Sequence, residues 1–155
     1  MASEDDRSSL KAASGIEDEA VLQGLVDQGI TPESLTAVSL IPLVAVAWAD
    51  REMADGEKKA ILQAANDAGV TSDSTAYSVI EGWLESRPDS ELLEAWKSYV
   101  ASIKDKLDPS ATGQLKHSVI TRSKEVARAA GGYLGISKIS SAEQAVIDEL
   151  EAAFG

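Results

Sequence analysis

Residues 45–62 read AVAWADREMADGEKKAIL, and the change of character midway through this stretch sets the architecture. Upstream, Leu40, Ile41, Leu43, Val44, Val46 and Trp48 make a helix over 40–50 apolar nearly all round, the mark of a central buried helix. Pro42 fits only in its first turn, where a missing amide breaks no intrahelical bond. Downstream, the chain continues as a helix over about 55–68 and stops at Gly69, which reads as a C-cap. Between the two lie four carboxylates within eight residues: Asp50, Glu52, Asp55 and Glu57. The expectation is a helix–turn–helix whose acidic turn is exposed, and the functional question is whether that acidity holds a cation or a partner.

The same patterns extend outward in both directions. EDEAVLQGLVDQG (17–29) aligns Ala20, Leu22, Leu25 and Val26 along one face and ends at Gly29. In TPESL, Thr31 is an N-cap and Pro32 the first residue of a short helix. Further helices are predicted over about 73–86, 89–107, 109–131 and 141–154, with Leu92, Trp96, Val100, Ile103 and Leu107 spaced by threes and fours. Asp108-Pro109 is an N-cap followed by a first helical residue. No segment alternates as a strand would. The fold class read from this is all-α, a single-domain bundle of about seven helices over 10–155. Residues 1–9, rich in Ser, Asp and Glu, are expected to be a disordered acidic tail.

Composition limits the function classes. In 155 residues, 14 Lys and Arg face 26 Asp and Glu, a net charge of −12 that repels nucleic acid and anionic membrane surfaces. Such a chain suits cations or basic protein partners. The absence of cysteine rules out disulfides, thiolate catalysis and Cys-based metal sites. The opening MASEDDRSSL is acidic, the reverse of a secretory leader. The longest uncharged run, Ser34 to Ala49, is interrupted by Pro42 and is shorter than the roughly 20 residues that span a bilayer. These features predict a cytoplasmic protein with no direct membrane insertion.

The chain also resembles itself. EMADGEKKAI and KISSAEQAVI superpose at one offset, so that Met53 matches Ile139, Glu57 matches Glu143 and Ile61 matches Ile147, each pair 86 apart. VAVA (44–47) resembles VARA (126–129) with a four-residue gap, and both segments close on a glycine, Gly69 and Gly155. An internal helix–turn–helix duplication would pack the two units about a pseudo-two-fold axis. Ser140 and Glu143 form a capping box in the second unit, which gives Glu57 a helix-start role in the first. Asp50, Glu52 and Asp55 have no acidic counterpart, since Ile136, Lys138 and Ser141 occupy those places. Their acidity is therefore not required by the helix–turn–helix.

An EF-hand does not explain the turn: counted from Asp50, its glycine would fall at Asp55 and its bidentate glutamate at Ile61. The stretch VAWADREMADGEKKAILQAANDAG instead resembles the tellurite-resistance TerB family, with Ala49, Asp50, Glu52, Met53 and Glu57 in the positions of the family signature. VARAAGGYLGISKISSAEQAVIDEL resembles its C-terminal counterpart, extending the likeness over about residues 20–155. The resemblance implies an all-α TerB-like module of bacterial stress physiology, with tellurite resistance or metal response as context and no established enzymatic activity. It implies an acidic face associated with divalent metal and partners in membrane-associated complexes. On it, Asp50, Glu52, Asp55 and Glu57 are candidate ligands of a weakly bound Ca²⁺ or Mg²⁺. Asp50, Glu52 and Asp55 are also candidate contacts to a basic protein surface, and a plain adaptor domain that binds no metal is the alternative. Where the family has glycine this chain has Arg51, which would cost roughly 1 kcal/mol at positive φ and would partly neutralise a cation site.

Other residues carry less. His117 stands alone, without a second His or a Cys to complete a metal site. Trp48, Trp83 and Trp96 sit beside apolar residues at helical spacing and read as core. Lys116, Arg122, Lys124 and Arg128 make one helix basic and are expected to pair with the chain's surplus carboxylates. There is no nucleophile elbow, no phosphate loop and no motif that implies a resident cofactor. The expectation is a protein that is not an enzyme, with no catalytic residues to name.

Overall fold

The computed structural model describes residues 3–49, 55–130 and 141–154. Among them are eight α-helices, one 3₁₀ segment and no strand: α1 (Ser3–Ser14), α2 (Glu19–Asp27), the 3₁₀ segment (Pro32–Leu40), α3 (Ile41–Ala47), α4 (Asp55–Asp67), α5 (Thr75–Glu85), α6 (Ser90–Lys104), α7 (Pro109–Ala130) and α8 (Ser141–Ala153). The architecture is the expected all-α bundle. No single helix among the described residues is long and apolar enough to cross a membrane.

Local signals set most boundaries. Asp18 caps α2, its Oδ1 accepting the amides of Ala20 at 2.9 Å and Val21 at 3.3 Å. Ser74 and Asp89 begin α5 and α6 in the same way, and Asp108 accepts the Ala111 amide at 2.7 Å as α7 starts at Pro109. Gly29 and Gly69 leave α2 and α4 at φ +81° and +89°, a backbone conformation that costs glycine nothing. Two expectations about local structure fail. Residues 3–9 of the segment expected to be a disordered tail lie in α1, which runs on to Ser14: Leu10, fully buried, anchors it, and α1 packs on α2 and the 3₁₀ segment. Tertiary contact thus supplies what a short polar helix lacks by itself. At the other end of the apolar stripe, α6 stops at Lys104, so Leu107 lies past the helix and is 37% exposed.

The short helix expected from Thr31 and the helix expected over about 40–50 are both present, the first as the 3₁₀ segment and the second as α3. Thr31 and Pro32 launch a 3₁₀ segment of nine residues, held at its start by the Thr31 amide donating to Ser34 Oγ at 2.8 Å. Pro42 then falls in the first turn of α3 as the sequence requires. Six of the seven α3 residues are buried, and the helix touches α4, α6, α7, α8 and the 3₁₀ segment. It occupies the centre of the bundle.

The core forms two apolar clusters that α3 joins. Ile41 and Val46 face one, with Leu10, Leu22, Leu25, Trp96, Ile147 and Phe154; the Trp96 and Phe154 rings meet edge to face at 5.8 Å. Leu43, Val44 and Ala47 face the other, with Ile61, Ala65, Ile80, Leu84 and Val126. Val79 and Trp83 pack against both. Trp96 is 2% exposed, whereas Trp48 and Trp83 are only partly buried.

Candidate functional site

The two helix–turn–helix units come together as the internal resemblance suggests. α4 and α8 are both 13 residues long, and both their first and last residues are 86 apart. α3 lies against α7, α4 lies against α7, and α8 lies against α3. Each unit's second helix therefore packs on the other unit's first helix, the reciprocal exchange that a pseudo-two-fold arrangement produces.

Of the four carboxylates singled out in the sequence, Asp50 and Glu52 lie outside the described residues, as do Arg51 and Met53. Asp55 opens α4 and is exposed. Glu57 is not exposed with it: only 2% of its surface is accessible. The cause is the crossing of α4 over α7. A Cβ at Gly56 would lie 2.6 Å from the carbonyl oxygen of Ala129, a contact that only glycine allows. The first turn of α4 is thereby pressed onto α7, and Glu57 is enclosed.

Glu143, the third residue of α8, is also 2% exposed. Matched carboxylates at the third position of two amphipathic helices have a common physical basis. The first amides of a helix lack intrahelical acceptors and the dipole favours negative charge there. A buried carboxylate is tolerated only when it is engaged, and both glutamates are. The expected capping partner of Glu143, Ser140, lies outside the described residues. Burial of the pair was readable: Glu57 precedes Ile61 by four, and Glu143 precedes Ile147 by four, placing each acid on the apolar face of its helix.

The basic residues of α7 also depart from expectation. No ion pair joins Lys116, Arg122, Lys124 or Arg128 to a carboxylate among the described residues, where the ion pairs are Arg7–Glu19, Lys97–Glu94 and Lys97–Glu149. Long side chains at a solvated surface gain little from pairing, so charge excess alone does not bring them together. His117 is exposed, also on α7. The described residues contain no group of three or more His, Cys, Asp or Glu arranged to hold a metal ion. Comparison of the chain with protein-family models, with curated proteins and with solved structures finds no match.

Proposed function

We propose that the chain is a non-catalytic, TerB-like interaction module of stress physiology that engages a basic protein surface through Asp50, Glu52 and Asp55. The observation that carries this reading is the equivalence of Glu57 and Glu143 in helix position and burial. It gives Glu57 a part in seating α4 and sets it apart from the other three acids. The remaining three acids have no acidic counterpart in the second unit, where Ile136, Lys138 and Ser141 stand. Solvent-facing carboxylates favour fast, salt-sensitive association with a cationic surface.

Divalent cation binding is the second reading, favoured by the density of carboxylates ahead of α4. With Arg51 among the acids, the site would be a loose calcium site, with Kd in the range of about 10⁻⁴ to 10⁻³ M. Affinity capture distinguishes the two. The expected partner is retained by the wild-type chain in chelator, released by salt, and lost with Asp50→Asn, Glu52→Gln and Asp55→Asn combined. Retention that depends on added Ca²⁺ or Mg²⁺ moves the assignment to the metal reading, and capture equal in the triple variant removes both.

A further inference from the structure

A cleft of about 560 Å³ opens between α3, α6, α8 and the α5–α6 connection, away from the α4–α7 contact. Its position follows from the fold. Ile41 on its wall belongs to one apolar cluster and Val44 to the other, so the cleft is the seam where the two clusters fail to close over α3. Ala45, Trp48, Leu93 and Val146 extend the apolar wall. The Trp48 indole N–H is already committed, donating to the carbonyl of Trp83 at 2.7 Å, so the indole makes no polar demand on an occupant. Pockets of roughly 300–1,000 Å³ with apolar walls and a few polar groups are the usual seats of small organic ligands.

The polar groups lie together on one rim, in the connection from α5 to α6: Arg87, Asp89 and Ser90. Asp89 Oδ1 accepts the Glu91 amide at 2.9 Å as the cap of α6, which fixes that carboxylate at the helix start. Arg87 forms no ion pair among the described residues, although the chain carries 26 acidic residues. A guanidinium and a hydroxyl at the mouth of an apolar cleft are donors suited to a carboxylate.

We infer that this cleft binds a small amphipathic monocarboxylic acid, its hydrocarbon body along Val44, Trp48 and Leu93 and its carboxylate against Arg87. The inference does not rest on the function proposed for the acidic turn. A molecule of this class fits both halves of the chemistry. A purely apolar ligand would leave the arginine unused, and a cationic one would meet it head on.

The test uses decanoate, decanol and decylamine as probes of one chain length, with tryptophan emission and calorimetry as readouts. Decanoate is expected to bind saturably with Kd below about 1 mM. Decanol should bind more weakly, and decylamine should not saturate. Arg87→Gln, an exposed change that leaves the walls intact, should weaken decanoate roughly tenfold and leave decanol unchanged, the loss of one charge-assisted contact. Ala45→Leu should reduce binding of both by filling the cleft, with circular dichroism checking that the helices persist. No saturable binding of decanoate overturns the inference, as does equal binding of decanoate and decylamine or an Arg87→Gln variant that binds decanoate as the wild type does.

Discussion

α4 and α8 each bury a glutamate at their third residue and an isoleucine at their seventh, and each packs on the other unit's first helix. Yet the approach to α4 carries Asp50, Glu52 and Asp55, where the approach to α8 carries Ile136, Lys138 and Ser141. One element thus occurs twice under two surface chemistries. What recurs, Glu57 with Glu143 and Ile61 with Ile147, belongs to the fold. What occurs once is available for something else, and the proposed interaction surface rests on that distinction.

The largest effects should come from the recurrent apolar pair. Ile61 and Ile147 are both fully buried, one in each cluster, and replacing either with alanine should cost about 2–5 kcal/mol in a denaturant series. A loss at Ile61 with almost none at Ile147 would break the equivalence of the two units. Next comes the helix crossing that they do not share. Gly56→Ala drives a Cβ into the Ala129 carbonyl and should cost about 1–3 kcal/mol. The matching position in α8 already holds Ala142, where a change to glycine should cost no more than about 1 kcal/mol. Equal tolerance at both positions would mean that α4 can back away from α7 freely.

The smallest effect separates the units by pH. Lys97 on α6 donates to Glu94 at 3.0 Å and lies 3.6 Å from Glu149 of α8. The bond to Glu94, foremost, raises its pKa above the ordinary 10.5, with burial opposing and Glu149 adding to the rise. A raised lysine pKa stabilises the fold fully below the unfolded value and loses that contribution as pH climbs through the folded value. For so accessible a pair the contribution is below about 1 kcal/mol. Urea midpoints should fall over that alkaline window in the wild type and fall less in Lys97→Met. An identical fall in both would remove the lysine from the account.

Much of the fold was legible because helix signals are local. Asp108 as a cap, Gly29 and Gly69 as stops, and Pro42 in a first turn all act within a few residues. The failures came from distant contacts. Composition makes residues 1–9 a polar tail, but Leu10, just beyond it, joins a core shared with α2, α6 and α8, and the helix it anchors extends back to Ser3. The site was legible as four clustered acids, not in how they divide. The place of Glu57 four residues before Ile61, on the apolar face, is in the sequence, but the contact of Gly56 with Ala129 that presses α4 onto α7 joins residues some 70 positions apart and is not. The cleft beside Trp48 was not legible at all, since it arises where two clusters fail to meet.

The distinction between recurrent and unique acids is tested most directly by thermal unfolding of two variants beside the wild type. Asp50→Asn, Glu52→Gln and Asp55→Asn combined should leave stability within about 0.5 kcal/mol, the range for surface changes away from packing. Glu57→Gln, at a buried and engaged carboxylate, should lower it by about 1–3 kcal/mol, a fall of several degrees in a chain of 155 residues. A triple variant that loses as much as Glu57→Gln, or a Glu57→Gln variant as stable as the wild type, would contradict the division of the acids on which the proposed function rests.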